Sequence, residues 1–159
     1  LIRAATSVDL LERLTNDAGI PGFTPDRVAE LVAAAVPAGE CLVHVDSVGD
    51  IDGFVVTNRW SFFDRDFVRL VSVDSSRRRS GIAGALLKAV VAGATSETVF
   101  ISTNVSNSAM RELRRKDGWI FSGTLSGLDE GDPEVVFWKS KTTPQISDEQ
   151  NAETRDVCE

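Results

Sequence analysis

The chain has 159 residues, 42% of them hydrophobic, which suits one compact domain with a single core. Its formal charge of −7 excludes a non-specific nucleic-acid binder, and its two cysteines exclude a disulfide framework or a cysteine-rich metal centre. No apolar run is long enough to cross a membrane, and the start, Leu1-Ile-Arg-Ala-Ala-Thr6, lacks the basic-then-apolar layout of a secretory signal, so a cytoplasmic protein is expected.

Leu1 to Thr6 reads as a short strand, and Ser7 is placed to cap a helix whose apolar positions are Leu10, Leu11 and Leu14. Thr24 is the next cap, with Pro25 in the first helical position and Val28, Leu31, Val32 and Ala35 along one face, until Pro37 and Gly39 stop the helix. Cys41 to Asp46 and Ile51 to Ser61 form an antiparallel pair around Gly49, and a third strand, Asp66 to Val73, follows the turn at Phe63-Asp-Arg65. Trp60, Phe62 and Phe63 make an aromatic patch near that turn, suited to core packing or to one wall of a binding pocket. His44 is the only histidine; no nucleophile or metal-ligand pattern accompanies it.

Gly81 to Thr95 is a helix rich in Ala, Leu and Val, Thr98 to Thr103 a strand, and Ser108 to Asp117 a helix stopped by Gly118. Trp119 to Leu125 and Glu134 to Lys139 alternate as two final antiparallel strands around an acidic loop. Glu134 to Lys139, read as an edge strand, could pair across a homodimer. Periodicity is lost from Lys141, so residues 1–140 form the domain and 141–159 a flexible acidic tail. The fold class expected is one α/β domain with a central mixed, mostly antiparallel sheet and helices on both faces.

The stretch from Val71 to Leu87 joins strand, loop, basic cluster and helix without a break. A helix N-terminus leaves its first N–H groups without partners and carries positive potential, and small residues at Ser80, Gly81, Ala83 and Gly84 let a ligand reach the main chain. Such a site wants an anion, and Arg77, Arg78 and Arg79 add mobile charge suited to a pyrophosphate. The spacing excludes a Walker loop, since Ala85 and Leu86 rather than Lys and Ser/Thr follow Gly84, and it lacks the three glycines of a dinucleotide fingerprint. Residues 77–116 hold eight Lys or Arg against Glu97 and Glu112, while residues 1–76 hold six against twelve acidic residues. A basic half for an anionic cofactor and an acidic remainder for a cationic amine is a sensible division.

Arg78-Arg-Ser-Gly81-Ile-Ala83 resembles the Arg/Gln-x-x-Gly-x-Gly/Ala loop of the GNAT N-acetyltransferase superfamily, with Val73-Asp74-Ser75 in place of its Val-Asp-Pro turn. Asn107 to Trp119 resembles the same family's Asn-x-x-Ala…Leu-Tyr-x-x-x-Gly-Phe helix in Asn107, Leu113 and Gly118, with Trp119 in the Phe place. The resemblance implies acetyl-CoA or another acyl-CoA as co-substrate, docked on Arg78, Arg79, Ser80, Gly81, Ile82, Ala83 and Gly84. Its arm would run along Val71, Ser72 and Val73, and Asn107 would touch it from the other side. It further implies a small-molecule or protein amine as acceptor, attacking the thioester directly once it has lost a proton. Asp66, at the start of its strand, is the preferred base, with Asp64, Asp129 and Glu130 behind it. The family's thiolate-protonating Tyr is replaced by Arg114, and the chain has no Tyr at all. Arg114 would then stabilise the thiolate by charge, with Ser108 or water delivering the proton. An active enzyme, a catalytically weak acyl-CoA-binding regulatory domain and an interaction domain all remain open on these residues.

Overall fold

The computed structural model describes residues 1–7, 9, 15 and 23–142. Its elements are β1 (Ile2–Ala4), α1 (Pro25–Ala35), β2 (Cys41–Val45), β3 (Ile51–Phe62), β4 (Arg65–Val73), a 3-10 turn (Ser75–Arg77), α2 (Ile82–Gly93), β5 (Thr98–Asn104), α3 (Ser108–Lys116), β6 (Ile120–Leu125) and β7 (Glu134–Ser140). The helix expected around Leu10, Leu11 and Leu14 and the tail beyond residue 142 lie outside the described residues.

Local chemistry sets the element ends. Thr24 caps α1 through its hydroxyl, which accepts from Arg27 N at 3.2 Å, and Pro25 follows where a missing N–H costs nothing. In the β2–β3 hairpin the Asp46 carboxylate accepts from Val48 N and Asp50 N, at 2.9 and 3.0 Å, and Gly49 takes φ +99°.

The seven strands form one sheet in the order β1-β2-β3-β4-β5-β7-β6. All neighbours are antiparallel except β4 and β5, which α2 links by a crossover. Expectation placed Glu134 to Lys139 at a sheet edge, free to pair across a dimer. The structure corrects this, because β7 is internal and hydrogen-bonds to β5 on one side and β6 on the other. The edges are β1 and β6.

Two cores flank the sheet. Val28, Val32, Val43, Phe54, Val56 and Leu70 pack under α1; Val55, Val68, Leu86, Leu87, Val99 and Ile101 pack under α2. Cys41 lies fully buried in the first, and burial pushes its thiol up to about 12.

One irregularity shapes the region between β4 and β5. The β3–β4 register runs Val56↔Leu70 and then Thr57↔Val68, leaving Arg69 as a bulge. Val68 and Leu70, which a regular strand would place on one face, therefore bury into opposite cores. The parallel β4–β5 ladder covers only Asp66↔Val99, Phe67↔Phe100 and Val68↔Ile101, so it ends where the bulge begins. From Arg69 onward β4 and β5 diverge, and the β4 main chain facing β5 has no strand partner.

Candidate active site

The divergence opens two clefts that share a floor. One, of about 260 Å³, runs beside Val71, Ser72 and Val73 to Arg78 on one side and to Ile101, Asn107 and Met110 on the other. The second, of about 420 Å³, is walled by Phe23, Phe62 and Phe67 and by Asn104, Leu128 and Glu134. Arg69, Ser102, Thr103 and Asn107 border both. Along Val71 to Val73, β3 takes only alternate backbone groups, so every second N–H and C=O is left for a ligand in the smaller cleft.

At the open end of that cleft stands the N-terminus of α2. Gly81 is its cap residue at φ +88°, a conformation that suits glycine, and no side chain caps the helix. The N–H groups of Ile82, Ala83 and Gly84 are thus the uncapped donors of the first turn. A Cβ built on Gly81 would meet nothing within 4 Å, so the space above these donors is open. A phosphate fits this cradle. The small residues are not all there for the ligand, however. A Cβ on Gly84 would come within 3.0 Å of Asp117 Oδ2, so Gly84 lets α2 approach the end of α3, and the Ile82 side chain is itself core.

The three arginines divide their work. Arg78 lines the smaller cleft and donates from Nε to Val73 O at 3.3 Å; Arg79 is exposed at φ +63°. Arg77 turns back toward Asp52, 3.6 Å away, whose other oxygen meets His44 Nδ1 at 2.5 Å. His44 therefore belongs to a buried-carboxylate contact behind the loop and not to either cleft. Ser80 closes the loop by donating to Arg77 O.

Asn107 stands at the junction as the cap of α3, its Oδ1 accepting from Met110 N at 3.2 Å, which leaves the amide NH₂ to turn toward the clefts. Ser108, the next residue, is exposed and lines neither cleft. The structure therefore does not bring it together with the other candidates.

Asp66 is not brought to the site either. It lies buried at the far end of β4, and its carboxylate accepts from Thr95 N at 2.6 Å and from Thr95 Oγ1 at 2.7 Å. Both oxygens are committed to fastening the chain that leaves α2, so the preferred base of the sequence reading is a structural carboxylate. Of the reserve candidates, Asp64 sits on the β3–β4 turn at φ +56°, and Asp129 accepts from Asn104 Nδ2 at 2.7 Å.

Arg114 occupies the position expected, on the inward side of α3, yet its guanidinium is wholly buried and stacked 4.0 Å from the Phe137 ring centroid. All three of its nitrogens lack hydrogen-bond partners among the described residues. Burial lowers its pKa to about 10, with the nearby Glu134 charge working the other way. An enclosed guanidinium cannot meet a thiolate directly, and the structure brings Arg114 into neither cleft.

Glu134 is a candidate acid that sequence reasoning did not mark. It opens β7, lines the larger cleft, and has an Oε2 with no hydrogen-bond partner among the described residues. Burial pushes its carboxyl above the ordinary glutamate range; Ser102 opposes that push by hydrogen bonding and the Asp129 charge adds to it. Arg69 and Ser102 were likewise unseen. No motif spacing marks these three, since they meet only through the bulge and the return of β7 beside β5. Among the described residues no group of His, Cys, Asp or Glu is arranged to hold a metal ion, and no helix is long and apolar enough to cross a membrane.

No family model matches the chain, and no curated protein sequence matches it. Solved structures do. A Bacillus cereus ATCC 10987 acetyltransferase of the GNAT family is 30% identical, covers 90% of this chain and 98% of its own, and superposes with a TM-score of 0.79. The ribosomal-protein-alanine N-acetyltransferase of Brucella melitensis is 23% identical over 88% of this chain and 99% of its own, at a TM-score of 0.71. A Bacillus anthracis protein assigned as a streptothricin acetyltransferase, solved in complex with acetyl coenzyme A, is 17% identical over 63% of this chain and 61% of its own, at 0.57. These last two share the fold.

Proposed function

Because the chain belongs to the GNAT acetyltransferase family, we propose that it moves an acetyl or related acyl group from acyl-CoA to a primary amine. The reaction would run in the cytoplasm. The observation that carries this reading is the meeting of two clefts at Arg69, Ser102 and Asn107, one leading to an uncapped helix N-terminus and the other to a half-buried acid. A co-substrate with a phosphate at one end and a reactive carbonyl at the other fits the first cleft. An amine fits the second.

When bound, acyl-CoA supplies a thioester whose carbonyl carbon is open to attack. The protein's part is to hold and polarise. The N–H groups of Ile82 to Gly84 and the Arg78 and Arg79 side chains take the pyrophosphate, and the free main chain of Val71 to Val73 takes the arm. Glu134, with its raised pKa, is the group in the second cleft able to take the proton that an ammonium must lose before its nitrogen can attack. The C–N bond forms as the C–S bond breaks, and water in the open smaller cleft protonates the sulfur. Arg114 keeps a positive charge beside Glu134, which limits how far burial can raise that carboxyl.

The test is release of free thiol from acetyl-CoA with a panel of primary amines. Amine-dependent release above hydrolysis is expected. CoA binding without any turnover would instead support a catalytically weak acyl-CoA-binding domain, the alternative that the buried Arg114 in place of a phenol keeps in play. Absence of CoA binding contradicts both.

A further inference from the structure

Among the described residues lining the larger cleft, Arg69 is the one cation and Glu134 the one anion. They are not paired with each other: no ion pair involves either among the described residues, and both Arg69 Nε and Glu134 Oε2 are buried without a hydrogen-bond partner. A buried polar atom without a partner is costly and calls for an explanation, and a bound ligand is one. Two such atoms of opposite charge in one cleft describe a ligand of matching, opposite charges.

Arg69 is not needed for the phosphates. It lies four residues before Val73, roughly 13 Å away along an extended strand, whereas Arg78 already stands beside Val73 O. Nor is it set aside for the fold, because as the bulge residue it has no partner in the β3 register. The wall opposite is aromatic: Phe62 packs against Phe67 and Phe100 with centroids 5.2 and 5.0 Å apart, and Phe23 closes the far side. This is the aromatic patch marked in the sequence, now partly placed, since Phe62 lines the cleft while Trp60 and Phe63 stay exposed.

We propose that the acceptor is an amine bearing its own carboxylate, an amino acid with an apolar or aromatic side chain. Arg69 binds the carboxylate and thereby sets specificity, Glu134 takes a proton from the ammonium, and the phenylalanines hold the side chain. This rests on the acyltransferase reading above. In the balanced step the ammonium gives one proton to Glu134, its nitrogen bonds to the acyl carbon and the C–S bond breaks; the nitrogen's second proton passes through water to the departing sulfur, giving the free thiol, and Glu134 returns its proton to solvent. A protein N-terminus carries no carboxylate next to its amine and would leave Arg69 unanswered.

The experiment follows thiol release from acetyl-CoA with phenylalanine, phenylalaninamide and 2-phenylethylamine, alongside calorimetric CoA binding to the same protein. The parent should use the acid with a kcat/KM at least tenfold above either analogue. Arg69→Gln should bring the acid-to-amide ratio close to one, mainly through KM for the acid, and Arg69→Lys should restore part of it. Equal or poorer use of the acid by the parent overturns the proposal whether or not a variant folds, and so does an Arg69→Gln protein that keeps the full preference. If the parent binds no CoA, or turns over no amine, the acyltransferase reading falls and this inference with it.

Discussion

Glu134 shows how little a side chain's chemistry depends on its neighbours in sequence. It follows Pro133 at the end of an acidic loop and becomes special only because its Cα faces Asn104 across the β5–β7 ladder. A base works in its ionised form, so its rate falls as pH drops through its pKa. With that pKa raised by burial, the acidic limb of kcat/KM should lie above the ordinary glutamate value of about 4.3. Glu134→Gln should lower kcat/KM by about 10²–10⁴-fold and abolish the limb, with CoA binding intact. Arg114→Met removes a cation that favours the carboxylate, so in that variant the limb should move to higher pH. Asp66→Asn is the contrast. It weakens the bonds to Thr95, costs roughly 1–3 kcal/mol of stability and should leave the pH profile where it was. A pH–rate series on the three variants decides, and an unshifted limb in Glu134→Gln returns the proton to another acceptor.

At the scale of elements, the site is a consequence of where α2 begins. Gly53 on β3 lies against its first turn: a Cβ there would stand 2.8 Å from Ile82 Cγ2, 3.2 Å from Ser72 O and 3.3 Å from Leu86 Cδ1. Only a bare α-carbon lets the helix start this close to the sheet, with its uncapped donors at the mouth of the cleft. Gly53→Ala should therefore push α2 outward, costing roughly 1–3 kcal/mol in a urea melt and weakening CoA binding together with it. Loss of stability with unchanged CoA affinity would separate the helix position from the cradle. The sequence carried most of these elements openly. The Thr24-Pro25 cap, the Gly49 turn and the strand-loop-helix unit after Val71 each rest on local chemistry, and each stands where expected to within one or two residues. What it could not carry was register. The Arg69 bulge leaves no mark in a run of apolar and polar residues, yet it decides which face Leu70 takes and where β4 leaves β5. The same limit misplaced β7, since strand order depends on long-range pairing and not on local pattern.

Across the whole molecule, the motif loop was legible because a helix N-terminus, glycine and arginine express one chemistry in consecutive residues, whereas the proposed acceptor side was not, because its members come from β4, β5 and β7. The charge division follows the same line: the basic stretch 77–116 contains the cradle, and Glu134, which closes the acidic segment 129–134, lines the larger cleft. The account stands on acyl-CoA lying in the β4–β5 opening with its phosphates on α2. Calorimetric CoA binding to the parent and to Gly81→Glu, with cooperative melting confirmed for both, tests it most directly. A carboxylate at Gly81 would enter open space in the phosphate's place, and an L-residue at φ +88° would be strained. Binding by the parent and at least tenfold weaker binding by the folded variant is the predicted result; equal affinity in the two would contradict the assignment.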